Sequence, residues 1–88
     1  MLDWTAESWE REVVAPSPQA SAGLGKAIRQ LREKRGMTQE GLAHEAGSTA
    51  ATIGAIERGL TNPSWGTVEA IAEALGVSMV DVARAAQK

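Results

Sequence analysis

The sequence predicts an all-α protein: a compact bundle of five helices, preceded by a short N-terminal tail that is either helical or disordered. Three observations lead there. After residue 21, apolar residues recur at three- and four-residue spacing in successive segments. The first four of these segments each end at a glycine, Gly36, Gly47, Gly59 and Gly76, a residue suited to the left-handed conformation that closes a helix. No alternating apolar–polar run competes as a strand, and no internal repeat is present.

Taken in order, residues 2–14 can form a short helix, with Asp3 as its cap and Glu7 in its first turns. Leu2, Ala6, Trp9 and Val13 share one face, and Trp4 lies off it. A helix this short is marginal alone, so it docks or stays disordered. Residues 15–23, with two prolines and small side chains, read as a linker. The domain boundary falls near residue 21: a tail and linker over 1–21, then one domain over 22–88. The next helix is expected over Ala22 to Arg35, with Leu24, Ile28 and Leu31 as its buried stripe. Lys34 and Arg35 then complement its dipole.

Thr38 caps a second helix whose apolar face is Leu42, Ala43 and Ala46. After Gly47, Ser48 and Thr49 form a turn, and Thr49 caps a third helix carrying Ile53 and Ile56. Two short helices joined by a Gly-containing turn make a helix-turn-helix unit, and nucleic-acid-binding versions lay the second helix in the major groove. Leu60 to Pro63 is a loop, since Pro63 disfavours helix before it. Ser64 caps a fourth helix with Trp65, Val68, Ile71, Ala72 and Leu75; Trp65 is expected to cover the last two helices as a buried aromatic. Ser78 and Asp81 resemble a capping box for a fifth helix bearing Val80, Val82, Ala83 and Ala86. Met37 and Met79 read as gap-fillers, and His44 as an exposed position.

Composition narrows the function. With 88 residues the chain holds one small core. It has no cysteine and one histidine, so no disulfide framework or zinc site is expected. No nucleophile–base pair, carboxylate dyad or cofactor fingerprint is present, so neither an enzyme nor a cofactor is expected. The apolar runs are too short to span a bilayer, and the acidic N-terminus does not resemble a signal peptide, so a cytoplasmic protein is the simplest reading. Net charge is -2. Residues 1–21 hold four acids against Arg11, and the remainder has eight Lys/Arg against seven Asp/Glu. Arg29, Arg32, Lys34 and Arg35 cluster in one window, and such a local patch, with helix N-termini, can hold phosphates.

The segments REKRGMTQEGLA, IGAIERG and NPSWGTVEAIAEALGVS resemble the phage repressor and Cro family, the xenobiotic-response-element type of bacterial and phage regulators. Arg32, Gly36, Thr38-Gln39, Leu42-Ala43, Gly47, Ile53, Glu57, Gly59, Pro63, Ile71-Ala72 and Leu75-Gly76 fall at family spacing, and the likeness runs from Leu24 to Val82. It implies a lambda-repressor-like bundle that binds a two-fold operator in double-stranded DNA as a homodimer. It further implies that Gln39 contacts a phosphate and props the recognition helix. Arg32 and Glu57 would form a partly buried ion pair orienting that helix, with the arginine near a phosphate.

Base readout would fall to Ala50, Ala51 and Ala55, where the family commonly carries polar residues, beside Ser48, Thr49 and Thr52. The alanines can only touch thymine methyls, so either specificity is modest and shape-based or this helix does not read DNA. Arg58, Thr61 and Asn62 stand where the family grips the backbone; Arg58 alternatively serves the helix dipole. A second class of function is a protein-interaction module on the same fold, such as an autorepressing antitoxin. In that case Trp4, Trp9 and Val13 of the tail, with Val82, would contact a protein partner or the second subunit.

Overall fold

The computed structural model describes residues 18–87, and five helices follow one another without a strand among them: α1 (Pro18–Lys34), α2 (Gln39–Ala46), α3 (Ala50–Glu57), α4 (Trp65–Leu75) and α5 (Met79–Ala86). The local signals explain where each begins. Thr38, Thr49, Ser64 and Ser78 are extended N-caps whose side chains accept the N–H of Gly41, Thr52, Thr67 and Asp81. At Ser78 the box closes both ways, with Asp81 Oδ2 accepting the Ser78 N–H at 3.0 Å. That bond holds the Asp81 carboxyl below its usual range. Gly36, Gly47, Gly59 and Gly76 all have φ near +70°, so each marks a turn an L side chain would strain.

The first described helix differs from expectation. It begins at Pro18 rather than Ala22, so residues 18–23, read as linker, are helical. Proline suits the first helical position because its ring fixes φ and it lacks an N–H to satisfy. Gly23, read as linker, and Gly25, inside the expected helix, both have a packing reason. A Cβ on Gly23 would stand 2.7 Å from the Ala86 carbonyl oxygen, and one on Gly25 would run into those of Ile56 and Glu57. The backbone of α1 therefore lies directly against the ends of α5 and α3.

The core is Ile28, Leu42, Ala43, Ile53, Ile56, Ile71 and Leu75, with Leu24, Leu31 and Met37 packed on it. A second cluster, Val68, Ala72 and Val82, joins α4 to α5 with Met79 beside it. Two expectations change here. Trp65 does not cover the last two helices; it is 68% exposed. As the first residue of α4 its side chain tilts toward the helix N-terminus and projects past the core. Val82, expected at a partner contact, is 2% exposed because α5 folds back onto α1 and α4 and spends it inside the protomer. Trp4, Trp9 and Val13 lie outside the described residues.

Candidate nucleic-acid interface

Helix α2 ends at Gly47, whose φ of 70° turns the chain so that the Ser48 N–H returns to the Ala43 carbonyl at 2.8 Å. Three residues later α3 begins, and its buried side, Ile53, Gly54 and Ile56, is pinned against α1 and α2. At its far end the Leu60 N–H bonds to the Ala55 carbonyl at 2.9 Å. The pair forms a rigid corner whose outer side is the start of α3.

A polar network fixes that corner. Arg32 Nε donates to Glu57 Oε2 at 2.7 Å and Nη2 donates to Oε1 at 3.1 Å. Arg32 Nη1 donates to the Met37 carbonyl at 2.8 Å, and Gln39 Nε2 donates to Glu57 Oε1 at 3.0 Å. The two charged side chains are only 12% and 4% exposed. Burial opposes ionisation of Glu57, but the bonds from Arg32 and Gln39 outweigh it and hold its carboxyl below the ordinary value; the bond to Glu57 likewise raises Arg32. Both groups are thus charged throughout the neutral range. Three of the Arg32 N–H groups are spent on Glu57 and the Met37 carbonyl, which ties the end of α1 to α3 and to the turn before α2.

Gly54 shows what the sequence alone did not. It sits in the middle of an eight-residue helix, where glycine weakens propensity by about 1 kcal/mol relative to alanine. A Cβ there would stand 3.1 Å from Arg58 Nη1 and 3.6 Å and 3.7 Å from the Gln39 amide atoms. The bare backbone lets the guanidinium and the amide converge over α3. The Gln39 Nε2 keeps a second N–H beyond the one given to Glu57. The signal for Gly54, and for Gly25 in α1, was a glycine inside an otherwise helical pattern.

On the outer face Thr49, Ala51, Thr52 and Arg58 are exposed, while Ser48, Ala50, Ala55 and Gln39 are half-buried. Thr49 Oγ1 accepts the Thr52 N–H at 3.1 Å and donates to Thr52 Oγ1 at 2.9 Å, so the Thr52 hydroxyl accepts in this pair and its own proton is not spent on Thr49. Thr61 and Asn62 are exposed in the loop before α4.

The basic window at the end of α1 is less available than its composition suggested. Arg29 pairs with Glu33 at 3.3 Å, and Arg32 is committed to Glu57. Arg35 Nη1 donates to the Leu75 carbonyl at 2.8 Å, tying the end of α1 to the C-terminus of α4 rather than serving its own helix. The unsatisfied carbonyls at a helix end attract a cation from anywhere in the fold, and spacing along one helix does not reveal which end that is.

Residues 28–82 match the helix-turn-helix family. The immunity repressor protein of Bacillus phage phi105 is 39% identical over 56 residues, which are 64% of this chain and 39% of the repressor, so the match spans well under half of that protein. An uncharacterized HTH-type transcriptional regulator of Bacillus subtilis, YazB, is 37% identical over 59 residues, 67% of this chain and 86% of its own length. Among solved structures, the clp gene regulator ClgR from C. glutamicum superposes with a TM-score of 0.77 at 32% identity, covering 83% of this chain and 94% of that one.

Proposed function

The chain belongs to the helix-turn-helix family of the phage-repressor, xenobiotic-response-element type, and from that premise we propose that it is a sequence-specific transcriptional regulator binding a two-fold operator as a homodimer. The observation that carries this reading is the convergence at Gly54. The Arg58 guanidinium and the Gln39 amide lie side by side over the backbone of Gly54, two donors at one edge of the α2–α3 corner that a phosphate can engage together. The free N–H groups at the start of α2 add to it. A phosphate held there anchors the corner, and the start of α3 then lies along the major groove.

Base contacts in this reading are few. Thr52 offers a hydroxyl donor, and the Ala51 methyl can touch a thymine methyl. Ala50, Ala55, Ser48 and Thr49 supply shape more than hydrogen bonds. Thr61 and Asn62 sit where the next phosphate along the groove would pass, close to the N-terminus of α4. Arg32 and Glu57 act as positioning residues. Such a regulator works where the chromosome is, in the cytoplasm.

The test is in-vitro selection of duplex DNA with the purified protein at two salt concentrations. The expected result is a two-fold sequence with half-sites about one helical turn apart, bound more weakly at the higher salt. Selection that enriches no sequence, together with no complex in a mobility shift at low salt, overturns the DNA reading. A single enriched half-site overturns the dimer alone.

A further inference from the structure

A cavity of about 310 Å³ opens between α1, α4 and α5, lined by Leu24, Pro63, Trp65, Val68, Met79 and Val82. Its walls are almost wholly apolar, and Trp65 stands at it 68% exposed. An open apolar cleft with an uncovered tryptophan on its wall has room for an apolar side chain from outside the five helices. None of the residues that line it belongs to α2 or α3, so its occupant is a separate question from what α3 contacts.

We propose that the occupant is this chain's own N-terminal segment, residues 2–14, seated in the cleft of the same molecule with Trp9 and Val13 as its anchors. The connection supports it. The described structure starts at Pro18, and Leu24 of the cleft is only six residues further along the same helix, about 9 Å. From Val14 to Pro18 the chain can span about 14 Å, enough to reverse direction. Trp9 lies a further five residues back, about 8 Å along a helix, which returns it to the level of Leu24. The apolar stripe Leu2, Ala6, Trp9 and Val13 then faces the cleft, while Asp3, Glu7 and Glu10 are left to solvent. The charge also fits: the segment is acidic, and Arg84, next to Ala83 at the cleft wall, is exposed. A segment so short has marginal stability alone and gains it by docking.

The experiment uses the full chain with Trp65 as its only tryptophan. In one variant Trp4→Phe and Trp9→Phe keep aromatic anchors; in the other Trp4→Ser and Trp9→Ser remove them. Trp65 fluorescence and its quenching by acrylamide are read at dilutions where sedimentation shows a monomer. The expected result is a blue-shifted, protected Trp65 in the Phe variant, and a red shift with stronger quenching in the Ser variant. Adding Ala83→Glu to the Phe variant, at an exposed position, sets a like charge against the acidic segment and should reproduce the red shift with helical circular dichroism unchanged. Equal quenching in the Phe and Ser variants overturns the proposal. So does protection that appears only as the protein associates, since a second copy would then fill the cleft. None of these readouts depends on DNA, so the outcome stands apart from the fate of the regulator reading.

Discussion

Arg32 and Glu57 stand 25 positions apart in the chain and meet as a two-point fork, Nε to Oε2 at 2.7 Å and Nη2 to Oε1 at 3.1 Å. Because Glu57 is the last residue of α3 and Arg32 lies in the last turn of α1, the fork fixes the far end of α3. Gln39 adds a bond from α2, so one carboxylate ties three helices together. The orientation of the outer face of α3 rests on this carboxylate as much as on the apolar core.

Replacing Glu57 with alanine should therefore cost far more than replacing Glu40. The loss leaves the Arg32 charge nearly buried and unpaired, which typically costs about 3–5 kcal/mol. Glu40 is exposed, and such a change usually stays within about 0.5 kcal/mol. Urea unfolding of both variants checks this; equal midpoints would refute the importance of the fork.

The same pair sets an acid limit. Glu57 titrates lower in the folded protein than in the unfolded chain, so the unfolded state binds more protons as pH falls through the carboxylate range. The stability it supplies is full above about pH 4.3 and is lost progressively below. Asp81, also lowered, acts in the same direction. Urea midpoints measured at falling pH should converge between wild type and Glu57→Gln. A gap that stays constant down to pH 3 would show that this carboxylate is not linked to folding.

Much of this architecture is legible because its signals are local. A serine or threonine before each of α2 to α5, and a glycine after each of α1 to α4, act within one turn, and they placed those boundaries. What the sequence hid depends on distant neighbours. Arg35 looks like a dipole partner of its own helix until the end of α4 arrives beside it. Gly54 looks like a weak helix former until Gln39 and Arg58 are seen above it. Trp65 has the spacing of a core residue, yet at the tip of α4 it stands outside the core, on the wall of the apolar cleft. The charge window on α1 suggested a phosphate patch, and the tertiary bonds of Arg32 and Arg35 removed half of its four cations.

Two interior glycines should respond differently to alanine. At Gly25 the new methyl meets the backbone carbonyls of Ile56 and Glu57, which cannot rotate away. Overpacking of that kind costs about 1–3 kcal/mol or more and should push α3 outward. At Gly54 the nearest atom is the flexible end of Arg58, and the helix gains about 1 kcal/mol of propensity. Gly54→Ala should therefore match or exceed wild-type stability while weakening DNA binding. Thermal melts of the two variants decide the matter; a Gly25→Ala variant as stable as wild type would mean that α1 does not approach α3 at the backbone.

Arg58→Ala tests the phosphate anchor. Loss of one phosphate contact lowers the slope of log affinity against log salt by about 0.9. Binding to all sequences should weaken together, without a change in preferred site. If the slope stays at the wild-type value, Arg58 serves only the end of its own helix.

Ala51→Gln addresses base readout. Ala51 is exposed on the first turn of α3 and touches no core cluster, so the change should leave stability within about 0.5 kcal/mol. A glutamine there can form a bidentate pair with adenine, worth about 1–3 kcal/mol of discrimination against other bases. Wild type, with short threonine hydroxyls and alanine methyls at the start of α3, should show a shallow preference in selected DNA. The variant should sharpen it at one position in each half-site. Ala50, half-buried, should tolerate the same change less well. If Ala51→Gln binds with unchanged preference while Arg58→Ala weakens binding, DNA is gripped at the backbone and the start of α3 does not enter the groove.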